Sequence, residues 1–154
     1  MEEAYIYDTV RSPRGKGKKG SLNELSAVTL SAKILKELRE RNSLNTEEIE
    51  DVIWGNVTQV GEQGGCLARS AVIAANYSES TPGLSINRFC ASGLEAVNLA
   101  TNQVKGSAGN AYVAGGVEMM SRVPMGSDGA AIAVDPTLAM NSYFVPQGIS
   151  ADIL

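Results

Sequence analysis

The sequence predicts an α/β fold in which short strands and helices alternate, a β-α-β-α-β-α-β run with a mixed or parallel sheet and helices on both faces. Three observations carry this. Runs rich in β-branched and aromatic residues recur at 4–10, 51–57, 83–89 and 111–114. Apolar residues at helical spacing fill the intervals between them, and glycine or proline breaks separate the elements. With 154 residues, 44% hydrophobic and 19% charged, the chain has the length and composition of one ordinary domain with its own core.

In chain order, Ala4-Tyr5-Ile6-Tyr7-Asp8-Thr9-Val10 alternates well enough for a first strand. Arg11 to Gly20 carries five cations and three glycines but lacks the Gly-x-x-x-x-Gly-Lys-Ser/Thr spacing of a nucleotide loop, and reads as a solvated loop. Ser21-Leu22-Asn23-Glu24 has the form of a capping box, and Leu25, Val28, Ala32, Leu35 and Leu38 follow on one helical face that ends at Asn42. Asn45 caps a short helical turn leading into a strand from Asp51 to Val57, whose Trp54 belongs in or near the core. After the flexible loop Gly61 to Gly65, the small and aliphatic residues from Cys66 to Ala75 suit a closely packed helix, with Cys66 packed on or beside it and Arg69 in a buried ion pair.

Pro82-Gly83 opens a strand through Phe89. Leu94, Ala96, Val97, Leu99, Ala100 and Val104 then give a helix from about Ala91 to Lys105, stopped by Gly106. The last strand, Ala111 to Ala114, runs into Gly115-Gly116, which lets backbone pass close to another element. From Ser121 onward, prolines and glycines break any long periodicity. Met119, Met120, Met125 and Met140 in this part either line an apolar slot or fill gaps in the core.

Cys90 thus stands where a strand hands over to a helix. Unpaired N–H groups and the positive dipole end of a helix favour thiolate over thiol, and the same amides can donate to the carbonyl oxygen of an acyl group carried on sulfur. Position alone is equally compatible with a small buried hydrophobe.

Composition narrows the function. A net charge of −4 and scarce aromatics argue against nucleic-acid binding. No apolar run of about 18 residues is present, and the N-terminus is acidic where a secretory signal is basic. Two cysteines without such a signal suit a reducing compartment, and the cytoplasm is the expected location. There is no histidine, which removes the usual general base at neutral pH and leaves a zinc site short of ligands.

Two stretches carry a resemblance. Asn-Arg-Phe-Cys-Ala-Ser-Gly-Leu-Glu-Ala at 87–96 and Ala-Gly-Gly-Val-Glu-Met-Met-Ser-Arg-Val-Pro-Met-Gly at 114–126 resemble the thiolase family, in particular acetyl-CoA acetyltransferases and 3-ketoacyl-CoA thiolases. Tyr143 to Asp152 is similar to the family's Met-Gly-x-Thr-Ala-Glu segment, with Gln147 where methionine is usual, and Met119 replaces a common serine. The resemblance spans the chain but only the N-terminal part of the family pattern. It implies a thiolase-like N-terminal core at 1–118 and, at 119–154, the beginning of the loop domain that covers the substrate.

The resemblance makes Cys90 the acyl-accepting nucleophile and a backbone oxyanion donor, and assigns Met119, Met125, Gln147 and Gly148 to substrate contacts. It implies that Cys90 is at least partly shielded by 119–126. Acyl-CoA and CoA are the expected partners, with no prosthetic group. A C-terminal half or second subunit is expected to supply the activating histidine and the acid/base cysteine, and a homo-oligomer is expected through Ser85 to Phe89. Without that half, a catalytically silent assembly module is the rival expectation, unless Cys66 or Glu118 serves as base.

Overall fold

A computed structural model describes residues 3–154. Helix α1 (Ala27–Asn42) is followed by a 3₁₀ turn at Thr46–Glu48, strand β1 (Asp51–Gly55), a second 3₁₀ turn at Gly61–Gln63, helix α2 (Leu67–Ala74) and strand β2 (Gly83–Ile86). Helix α3 (Ser92–Lys105) and strand β3 (Tyr112–Gly116) come next, then the short helices α4 (Ala131–Val134), α5 (Pro136–Asn141) and α6 (Gln147–Ile153). The three strands form a parallel sheet in the order β2-β1-β3, with Val52 opposite Gly83 and Val113, and Gly55 opposite Ile86 and Gly116.

The order dictates where the helices go. The chain steps one way from β1 to β2 and back the other way, past β1, from β2 to β3. Right-handed crossovers therefore put α2 and α3 on opposite faces. The core divides accordingly. Val52 and Trp54 of β1 pack with Leu35 of α1 and Leu67, Ala71 and Val72 of α2, whereas Ile53 packs with Ala96 and Ala100 of α3. β1 is thus buried on both faces. The Trp54 indole N–H donates to Ser31 Oγ at 3.1 Å, and the Tyr77 hydroxyl to the Leu35 carbonyl at 2.9 Å. Burial pushes the Tyr77 phenol up to about 12. Arg39 ties α1 to the end of α2 through the Ala75 and Asn76 carbonyls at 2.9 and 2.8 Å, as a cation at a helix C-terminus should.

Several expectations are corrected. Residues 4–10 enter no sheet. β1 has both edges paired, and Asp8 anchors the segment to the end of α1 by accepting from Asn42 at 2.8 Å. A cavity of about 960 Å³ separates this segment from β3, and Tyr5, Ile6 and Tyr7 are left exposed. α1 starts at Ala27 because Ser26, not Ser21, takes the cap, its Oγ accepting from the Thr29 N–H at 3.1 Å. Arg69 makes no ion pair among the described residues; its guanidinium donates to the Thr81 carbonyl and, at 3.2 Å, to that of Glu79, fastening the loop before β2. Cys66 is exposed rather than packed, with φ +60° at the cap of α2.

Beyond β3 the chain contributes buried side chains over its first turn. Met119 and Val123 are buried, the Met119 N–H donates to Gln63 Oε1 at 2.7 Å, and Arg122 Nε reaches Glu62 at 2.6 Å. None of α4, α5 and α6 has a buried residue. No helix among the described residues is long and apolar enough to cross a membrane.

Candidate active site

All three strands end at one edge, where ligands of open parallel sheets collect. From β2 the chain runs Asn87-Arg88-Phe89-Cys90-Ala91 into α3. Cys90 sits one residue before the cap of α3, at the address its flanking signals predict, and it is exposed. The expectation that 119–126 shields it does not hold.

The turn that presents the thiol is strained. Phe89 has φ +47°, a left-handed conformation costing a non-glycine residue on the order of 1–3 kcal/mol. Polar bonds hold it there. Asn87 Oδ1 accepts from the Phe89 N–H at 2.8 Å; the buried Ser92 Oγ accepts from the Arg88 N–H at 2.8 Å and donates to the Phe89 carbonyl at 2.6 Å. Of the amides from Cys90 to Ser92, two close the turn, Ala91 onto Arg88 at 3.1 Å and Ser92 onto Phe89 at 3.0 Å. The Arg88 guanidinium pairs with Glu95 at 3.0 Å.

α3 reaches this position because Gly55 ends β1. A Cβ on Gly55 would lie 2.6 Å from the Ser92 carbonyl carbon, so the first turn of α3 rests directly on the strand backbone. The sequence places the close approach at Gly115-Gly116. There the added Cβ atoms would meet the Trp54 ring at 2.6 Å and the Gly55 carbonyl oxygen at 2.5 Å instead.

Next to this turn lies a cluster that the residue pattern alone does not reveal. Glu118, just past β3, accepts from Asn56 Nδ2 (3.3 Å), the Val57 N–H (2.8 Å), the Thr58 N–H (3.3 Å) and Gln63 Nε2 (2.8 Å). Gln63 and Asn56 are almost fully buried. A carboxylate with both oxygens occupied by donors is poorly placed to act as a base. The signal was available in part: Asn56 and Gln63 are polar residues immediately after a buried strand and inside a glycine-rich loop, where buried amides need partners.

The other residues assigned to the site lie apart in character. Met119 is in the core with α1 and α2; Met125 is 81% exposed; Gln147 and Gly148 open α6 at the surface. Cys66 donates to the Gly83 carbonyl at 3.2 Å. Among the described residues both cysteines are free thiols, and no group of side chains is arranged to hold a metal ion.

Comparison with known proteins then decides the family. The pattern described as "Thiolase, N-terminal domain" matches residues 4–151. The chain belongs to the thiolase family. It is 39% identical over its whole length to a 3-ketoacyl-CoA thiolase of Colwellia psychrerythraea, of which it covers 40%. With a 3-ketoacyl-CoA thiolase of Pseudoalteromonas atlantica it shares 40% identity over 81% of its length and 33% of that protein. The crystal structure of the Bacillus anthracis acetyl-CoA acetyltransferase superposes with a TM-score of 0.62 at 33% identity, covering 66% of this chain and 26% of that one. The chain therefore spans about two fifths or less of the thiolases it matches, and its α/β architecture is that of a thiolase N-terminal domain.

Proposed function

We propose that this chain supplies the acyl-accepting half of a thiolase-type acyltransferase site, with Cys90 as nucleophile. The observation that carries the proposal is the presentation of one exposed thiol on a strained strand-to-helix turn at the carboxyl edge of a parallel sheet. The Cys90 thiolate attacks the thioester carbon of acetyl-CoA; the sulfur–acyl bond forms, the bond to CoA breaks, and the CoA thiolate leaves with the electron pair and takes a proton. In the degradative direction it attacks the ketone carbon of a 3-ketoacyl-CoA; the sulfur–acyl bond forms, the C2–C3 bond breaks, and the acetyl-CoA enolate leaves with the electron pair and takes a proton. The Cys90 amide stabilises the oxyanion. Acyl-CoA and CoA are the substrates and no prosthetic group takes part.

Residues 119–154 begin the domain that closes over the substrate, where Met125, Gln147 and Gly148 shape the acyl slot while Met119, packed in the core with α1 and α2, anchors the start of the segment. A homo-oligomer forms through Ser85 to Phe89, in the cytoplasm. A second reading, an assembly module without turnover of its own, is supported by the lack of any histidine and by the engagement of Glu118 with four donors.

Mass spectrometry of the chain after incubation with acetyl-CoA, with and without a thiolase C-terminal half, tests both. An acetyl adduct on Cys90, absent in Cys90→Ala, supports the nucleophile. Turnover only in the presence of the added half supports division of the site between two halves. No adduct under either condition would leave the assembly module as the function.

A further inference from the structure

The Glu118 cluster and the Cys90 turn are joined by one continuous set of bonds. Glu118 holds the N–H of Val57 at 2.8 Å; the carbonyl of the same residue accepts from Asn87 Nδ2 at 3.1 Å; and Asn87 Oδ1 accepts from the Phe89 N–H at 2.8 Å. The first two steps cross from the end of β3 to that of β1 and on to that of β2. The last one fixes the left-handed residue directly before Cys90. From this continuity we infer that Glu118 is a positioning residue for Cys90, acting through Val57 and Asn87 and touching neither thiol nor substrate.

The chemistry of the cluster fits such a role. All four groups facing the carboxylate are donors, two to each oxygen, so a carboxylate satisfies the set and an amide does not. Gln63 is spoken for on its other side as well, its Nε2 reaching the Thr58 carbonyl at 2.9 Å and its Oε1 accepting from the Met119 N–H at 2.7 Å. The loop after β1 is therefore immobilised by polar bonds at several points. Asn87 borrows that rigidity to keep Phe89 in a conformation it would otherwise leave.

The inference rests on Cys90 being the nucleophile, and the experiment separates the two. Cys90 alkylation by iodoacetamide is followed peptide by peptide with Cys66 as internal reference, and amide hydrogen exchange at Val57, Phe89 and Ala91 is measured by NMR on the same protein. Two variants are used: Glu118→Gln, which sets an amide against the donors, and Asn87→Asp, which keeps the acceptor for the Phe89 N–H but loses the donor to Val57. Each is expected to lower the Cys90-to-Cys66 rate ratio about five- to tenfold, and to speed exchange at Phe89 and Ala91 by a similar factor, the loss of roughly one hydrogen bond. The double variant is expected to be no worse than either, because both cut one path.

Exchange that rises at Val57 but stays at the wild-type rate at Phe89 and Ala91 in Glu118→Gln would overturn the inference, and so would full additivity in the double variant. If Glu118→Gln does not fold, unchanged exchange at Phe89 in Asn87→Asp overturns it alone. A wild-type Cys90 no faster than Cys66 would sink the nucleophile reading, while the exchange data would still decide the positioning.

Discussion

Gly55→Ala changes one hydrogen into a methyl group at the point where α3 meets the sheet. The new Cβ would stand 2.6, 2.7 and 2.8 Å from the Ser92 carbonyl carbon, its oxygen and the Gly93 nitrogen. Carbon pairs settle near 3.5 Å, so something must retreat by about 0.9 Å. β1 cannot move, since it is paired along its length on both edges. The first turn of α3 must move instead, drawing Ala96 and Ala100 off Ile53. Because the clash is with backbone, the upper part of the overpacking range applies, about 3 kcal/mol.

Gly93→Ala is the matched control: nothing lies within 4 Å of its Cβ, φ is not positive, and the residue is in the first turn of α3. There the same chemical change should stabilise by about 0.4–1 kcal/mol. Urea denaturation reads both as midpoint shifts of opposite sign at constant slope. Cys90 alkylation in Gly55→Ala should slow as its turn is displaced. Gly115→Ala, whose Cβ meets the Trp54 ring, should destabilise the α1 face and leave Cys90 reactivity alone. A Gly55→Ala protein within 0.5 kcal/mol of wild type and alkylated at the wild-type rate would refute the direct seating of α3 on β1.

Tyr77→Phe should cost about 1 kcal/mol by removing the buried hydrogen bond that the Leu35 carbonyl accepts in addition to the one of its own helix. Burial holds the folded phenol at about 12 against an ordinary 10, so wild-type stability, fully present below pH 10, should fall as pH rises from 10 to 12, and thermal melts of Tyr77→Phe should lack that fall. The Arg122 guanidinium holds the Glu62 carboxyl below its ordinary value. That contribution is present above the ordinary carboxylate range and is lost as pH falls through the lowered value. The protection of the Arg122 and Val123 amides, both bonded to the Met119 carbonyl, taken as exchange relative to the intrinsic rate at each pH, should fall on acidification in wild type and be low at every pH in Arg122→Ala.

Local chemistry made much of the fold readable. Asn45 caps its turn, Ser43 at φ +49° closes the helix that Asn42 ends, and Lys105-Gly106 stops α3, because caps and stops act over three or four residues. The address of Cys90 follows from the same signals. What stayed hidden depends on tertiary competition. Residues 4–10 have a strand's pattern, but a strand needs an available edge, and direct pairing of β1 with β3 removes the central one. The capping-box pattern at Ser21 is not used, since the Ser26 hydroxyl takes the cap of α1 five residues later. Cysteine's tendency to be buried misplaces Cys66, which is exposed, with φ +60° at the cap of α2. The Glu118 cluster draws on residues 55 and more positions apart, beyond the reach of any local pattern.

The exposure of Cys90 is itself an argument about how the proposed chemistry must be completed. Polar bonds through Asn87 and Ser92, rather than apolar cover, fix its turn, so the thiol is held in place without being enclosed. Phe89 and Leu94 flank it with 68% and 65% of their surface open, and Met120 and Met125 of the following segment are likewise uncovered. An acyl thioester formed on such a thiol would stand in water, where oxyanion donors are weakened by the solvent dielectric and hydrolysis competes with transfer. Productive transfer on this scaffold therefore requires a second surface that closes over Cys90 and those apolar side chains. That requirement joins the proposed chemistry's need for a base to the physical need for cover, and the proposed C-terminal half would meet both.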